Sequence, residues 1–212
     1  MGIFSRKRNT PTSHVAPSRV AVPAGTTFDT PTAVVDDITG DYTLDASHTR
    51  IGFSARHAMV TTVRGAFTDF EGTAHIDTAT PASSWVKVSI KAESINTGNA
   101  DRDGHLRSGD FFENETHPEI TFASTAVDVD GGTWNVTGDL TIKGVTHSIT
   151  VPFEQTGSAQ DPFGNTRVGF EGVATLDRKD WGLVWNAALE TGGVLVSEKI
   201  KLEFDISAIK NA

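Results

Sequence analysis

From Gly40 onward, apolar and polar residues alternate with a period of two. Val86, Val88 and Ile90 are interleaved with Lys87, Ser89 and Lys91, which predicts a half-buried strand. Trp134, Val136, Leu140 and Ile142 share one parity, as do Ile149, Val151 and Phe153. Ile200, Leu202, Phe204 and Ile206 do the same, with Lys201, Glu203 and Asp205 forming a charged outer face. The rhythm is less regular around Ile120-Thr121-Phe122 and Val168-Gly169-Phe170. Turn signals separate the runs: Asp130-Gly131-Gly132, Lys143-Gly144, Pro162-Phe163-Gly164 and Gly192-Gly193. About eight strands with short connections predict a sandwich or barrel, and antiparallel strands remove their exposed edges by closing into a barrel.

One stretch departs from this rhythm. Asn99 to Gly109 reads as a short helix, with Asn99 as cap, Asp101 and Asp103 at the positive end of the dipole, and Gly109 as the stop. Asp103 and Arg107 have the spacing of a helical ion pair. Arg102 and Leu106 share another face, and Phe111 and Phe112 follow at once, where the helix should meet the barrel.

Composition narrows the reading. Twenty glycines and a hydrophobic fraction of 37% fit a turn-rich fold with a real core, and no run approaches the length of a membrane-spanning helix. The absence of cysteine excludes disulfides, thiolate catalysis and cysteine zinc sites. A net charge of −9 argues against nucleic acid as partner. Residues 1–39 carry Arg6, Lys7, Arg8 and Arg19 against Asp29, Asp36 and Asp37, so the acidic excess belongs to residues 40–212. Pro11, Pro17, Pro23 and Pro31 lie in that first segment among Ser, Thr and Ala, the composition of a flexible, disordered extension. The basic triplet is followed by Asn9-Thr10-Pro11-Thr12-Ser13-His14 rather than by the apolar core of a signal peptide. A cytoplasmic protein without stable membrane insertion is expected, with a folded domain over 40–212. Ile3, Phe4 and the basic triplet offer at most marginal contact with anionic lipid.

Several ordered segments then match a known pattern: Asp45-Ala46-Ser47-His48 leading to Ile51-Gly52-Phe53-Ser54-Ala55-Arg56-His57; Phe67 and Phe70-Glu71-Gly72; and Arg102 through Phe112, followed by Pro118-Glu119-Ile120-Thr121-Phe122. Gly138 through His147 and Asp177-Arg178-Lys179-Asp180-Trp181-Gly182-Leu183 complete the set. Over residues 40–208 the chain resembles the bacterial YceI-like family of polyisoprenoid-binding proteins. The resemblance implies an all-β, lipocalin-like, eight-stranded antiparallel β-barrel with a short helix at the rim. It also implies a long apolar tunnel that holds a polyisoprenoid, an isoprenoid quinone or a fatty-chain amphiphile. Many relatives carry a signal peptide, and the hydrophilic first residues here depart from that pattern.

The candidate ligand-binding residues are the aromatic and apolar set Phe53, Phe70, Leu106, Phe111, Phe112, Phe122, Trp134, Phe170, Trp181 and Trp185, together with His57 and Arg102. An eight-stranded interior is just wide enough to be packed by side chains or to hold one ligand, and the residues alone leave both open. His57 shares parity with Ile51, Phe53 and Ala55 and should point inward, either as a head-group contact or as a structural histidine bonded to a carboxylate or the main chain. Arg102 reads either as a partner for a lipid's phosphate or carbonyl oxygens or, with Asp103, as an anchor of the helix. His105 is expected to face solvent.

The seven histidines show no metal-ligand spacing, so no metal or cofactor is expected beyond the bound lipid or quinone. No G-x-S-x-G element supports a nucleophilic serine. The leading expectation is a non-catalytic carrier, sink or sensor, with a homodimer conceivable. Two alternatives stand beside it: an enzyme acting on a bound isoprenoid or quinone through His57 with Asp103 or Asp110, and an interaction module whose tail, with Thr10, Thr12 and Ser13, docks a partner.

Overall fold

The computed structural model describes residues 37–190 and 192–212. Eleven strands form one antiparallel sheet. In chain order they are β1 (Gly40–Leu44), β2 (Arg50–His57), β3 (Thr61–Phe67), β4 (Phe70–Ile76), β5 (Trp85–Lys91) and β6 (Ile95–Asn96), followed by β7 (Glu119–Asp130), β8 (Thr133–Ile142), β9 (Val145–Gln160), β10 (Thr166–Asp177) and β11 (Val196–Lys210). The sheet runs β1-β4-β5-β7-β8-β9-β10-β11, and β11 pairs back onto β1, which closes an eight-stranded circuit.

The remaining three strands continue members of the same circuit. β2 extends β1 along β11, with Phe204 opposite Ile51 and Ala208 opposite Leu44. β3 extends β4, and β6 extends β5. The chain is therefore an up-and-down barrel whose first three strands are each broken once, and the breaks lie side by side. Thr68, between β3 and β4, donates its amide and hydroxyl to Ser94, between β5 and β6. In the first break, Asp45 donates its amide to Ser207 O at 2.8 Å and Thr49 donates its hydroxyl to the same oxygen at 3.0 Å, which seals the interruption onto β11.

The expected turns form. Lys143-Gly144 joins β8 to β9 with φ of 50° and 73°, the all-positive geometry that matches hairpin twist. The expected helix is α1 (Ala100–Arg107), and the Asn99 side chain accepts from the Arg102 amide. Ser108, rather than Gly109, is its C-terminal cap. The expected Asp103–Arg107 ion pair does not form. Asp103 is buried and accepts from the Thr97 amide at 3.0 Å and hydroxyl at 2.5 Å, while Arg107 donates to Glu93 O and Ile95 O. Both side chains serve to fasten α1 to the segment before it, which satisfies buried main-chain groups that a surface ion pair would leave open.

Of the flexible tail expected over residues 1–39, residues 1–36 lie outside the described residues. Ile38 is 2% exposed, and its carbonyl accepts the Tyr42 hydroxyl at 2.7 Å. The interior holds two buried clusters. One, with Ile51, Phe70, Ile90, Phe111, Ile120, Leu140, Trp181 and Leu183, lies toward α1, and the other, with Ile38, Tyr42, Ile76, Val168 and Ala208, lies toward the opposite end.

Arg167 on β10 stitches this second end together. Its Nη1 meets Asp45 at 2.5 Å and its Nε meets Asp161 at 2.8 Å. The Arg167 and Ser47 hydrogen bonds hold the Asp45 carboxyl well below the usual carboxylate range, and Asn165 with Arg167 does the same for Asp161. A depressed carboxylate stabilises the fold above its unfolded pKa and loses that contribution as pH falls through the folded value. Asp45→Asn is expected to lower the melting temperature at neutral pH. It should also lose less further stability than the parent on acidification below the ordinary value of 3.8, read by thermal denaturation across pH.

Candidate functional site

The inward rows of the strands do not meet at the barrel axis. They line a cavity of about 610 Å³ whose wall draws on both buried clusters. Ile200, Leu202, Phe204 and Ile206, the inward row of β11, are only half-buried, as are Phe53, Val88, Phe122, Ile149 and Phe153 on other strands. Apolar side chains that face inward yet retain accessible surface are facing empty space rather than packed neighbours. Val196 and Ala208 both line it, and with the irregularity between Val196 and Ile200 they lie roughly 33 Å apart along β11 at about 3.3 Å per residue. The site is a channel that follows the strands, within the size range of ligand pockets.

Of the predicted set, Phe53, Leu106, Phe111, Phe112, Phe122, Trp134, Phe170, Trp181 and Trp185 all line the cavity. Phe70 does not; it is buried in the cluster toward α1. Phe67, Phe153 and Phe204 also line it. The signal for these three was the same strand parity, which marks every inward residue alike. Trp181 is fixed by its indole N–H, which donates to Leu140 O at 3.0 Å.

Polar groups gather at the α1 end. Arg56, His57 and Asp101 line the cavity and are also exposed, so the channel wall meets solvent there. Met59 and Val60, at the tip of the β2–β3 hairpin, are 61% and 76% exposed beside this mouth. His57 holds the inward parity expected of it, but at the end of its strand, and its side chain makes no hydrogen bond or ion pair among the described residues. The carboxylate or main-chain partner that a structural role requires is thus not supplied. Arg102 lines the cavity, yet its Nε donates to Thr97 Oγ1 at 2.7 Å and its Nη2 to Thr97 O at 2.9 Å. It anchors α1, and Asp103 grips the same threonine from the other side.

His105 differs from its solvent-facing expectation. It is half-buried at the cavity wall, its ring 4.5 Å from Trp185 and 5.1 Å from Phe111, with Nε2 2.9 Å from Asp110. Its ring contacts are Phe111 and the distant Trp185, a tertiary effect that helical spacing does not encode. Asp103 and Asp110 are therefore both engaged away from His57, and the acid–base pairing considered from the sequence is not assembled. Arg178, which stands in the Asp177–Leu183 motif, also lines the cavity.

The comparisons with known proteins agree with this architecture. The YceI-like domain pattern matches residues 42–208. A UPF0312 protein of Pseudomonas aeruginosa is 41% identical over 145 residues, which cover 68% of this chain and 76% of that protein. Among solved structures, BcnA of Burkholderia cenocepacia superposes with a TM-score of 0.69 at 24% identity, covering 77% of this chain and 98% of the other. A polyisoprenoid-binding domain from Saccharophagus degradans superposes with a TM-score of 0.60 at 19% identity, covering 80% and 98%. The closed barrel, its rim helix and the sequence match over most of the folded residues lead to one conclusion: this chain belongs to the YceI-like domain family.

Proposed function

We propose that this barrel binds one long apolar lipid along its axis, a polyisoprenoid, an isoprenoid quinone or a fatty-chain amphiphile, and acts as a non-catalytic carrier, sink or sensor of it. The observation that carries the proposal is the half-buried inward row of β11, which presents apolar surface to a channel instead of to a packed core. Each methylene moved from water onto such a wall is worth about 0.8 kcal/mol, so chain length alone supplies affinity. The structural likeness to a domain named for polyisoprenoid binding supports the same ligand class. The site's shape favours a chain over a compact ligand, because the wall is long, narrow and apolar between its two ends.

Solvent extraction of the purified full-length protein, followed by mass spectrometry, is expected to release an isoprenoid or fatty species in near-stoichiometric amount. Ala55 lines the channel on β2 with a small side chain. Ala55→Trp should leave the β-sheet circular dichroism intact while reducing the extracted lipid by about tenfold, at a stability cost of roughly 1–3 kcal/mol for overpacking. An interior that releases nothing, or a tryptophan variant that carries as much lipid as the parent, contradicts the proposal.

A further inference from the structure

The cavity wall contains a buried cation that apolar chain binding does not use. Arg178 begins the short turn Arg178–Trp181 that follows β10, and it is 4% exposed. Its Nε donates to Ser197 O at 3.0 Å and its Nη1 to Leu183 O, which fixes the guanidinium between the turn and β11. Its Nη2 is buried and has no hydrogen-bond partner.

Nor is its charge matched. The acids that act on it, Glu198 and Asp177, make no ion pair with it, and each is paired elsewhere, with Lys179 and Lys199 respectively. Burial pushes the guanidinium below its ordinary pKa, yet arginine does not give up its proton in proteins. A buried charged donor without an acceptor costs free energy, and such sites persist where a ligand supplies the missing group. The surroundings fit a head-group pocket. The Phe111 ring lies 5.9 Å from the guanidinium, Trp185 packs on Phe111 at 5.5 Å, and His105 stands beside both.

We propose that Arg178 is the head-group anchor of this cavity, its Nη2 donating to an oxyanion, a carboxylate or phosphate, carried by the bound lipid. The inference rests on the lipid-binding reading above and narrows it from any apolar chain to an anionic amphiphile. An oxyanion supplies both the absent acceptor and a counter-charge in direct contact. An alcohol supplies only the first, and a hydrocarbon neither. Nη2 is closed to water in this conformation, so a head group reaches it only as neighbouring side chains of the cavity wall move.

The test uses the delipidated full-length chain and three probes with one tail: oleyl alcohol, oleate and oleyl phosphate, titrated by calorimetry. At least one of the anions is expected to bind about tenfold more tightly than the alcohol, the advantage of a charge-assisted hydrogen bond. Tighter oleate identifies a carboxylate site, and tighter oleyl phosphate a phosphate site. Arg178→Gln should remove that advantage while keeping the affinity for oleyl alcohol. Equal binding of all three probes by the parent protein overturns the anchor and leaves the lipid-binding reading standing, whereas binding of none overturns both. Should the glutamine variant fail to fold, since Nε and Nη1 also hold the turn, the parent's own preference among the probes decides the matter.

Discussion

The feature on which the rest of the structure depends is the double pairing of the last strand. β11 lies against β10 on one side, and on the other against both β1 and β2, with Tyr42 opposite Lys210 at one end and Ile51 opposite Phe204 further along. That closure satisfies the backbone groups of what would otherwise be two sheet edges and fixes the circumference at eight strands. Once the circumference is fixed by hydrogen bonds, the interior can no longer shrink to fit its side chains. The inward rows, with members of both buried clusters among them, instead face a channel that meets solvent at the α1 end. The three aligned strand breaks do not open the wall, because the first is bonded to β11 and the second and third are bonded to each other.

Much of this was legible in the sequence. Period-two alternation placed the inward rows of β5, β8, β9 and β11, and every residue of those rows that it named faces the channel. The breaks in the first three strands were not legible, since a pause of two to five residues between segments of like parity looks the same whether the strand turns back or resumes its course. Within the site, aromatic residues were found readily because they are large and rare. Phe70 was assigned to the channel and lies instead in the packed cluster, as parity gives the direction of a side chain but not what stands in front of it.

The polar part of the site was harder to read. Helical spacing joined Asp103 to Arg107, whereas the fold turns Asp103 inward to Thr97 and Arg107 toward β6. His105 was read as a surface residue and became part of an aromatic cluster through Phe111 and Trp185, the latter far along the chain. Arg178 carries no local sign of burial, because its two acceptors are main-chain carbonyls that no side-chain pattern announces. Charged groups are placed by tertiary demand for hydrogen bonds, and that demand becomes visible only when the barrel is closed.

The central claim is that the barrel encloses an apolar channel that a chain-like ligand fills. Thermal unfolding of the delipidated protein with a series of linear alcohols of increasing length tests it most directly. A ligand that binds only the folded state raises the melting temperature in proportion to its affinity, and affinity in such a channel grows with each buried methylene. The account predicts a melting temperature that climbs with chain length and levels off once the channel is full. A melting temperature that stays flat across the series, at ligand concentrations below micelle formation, would contradict it.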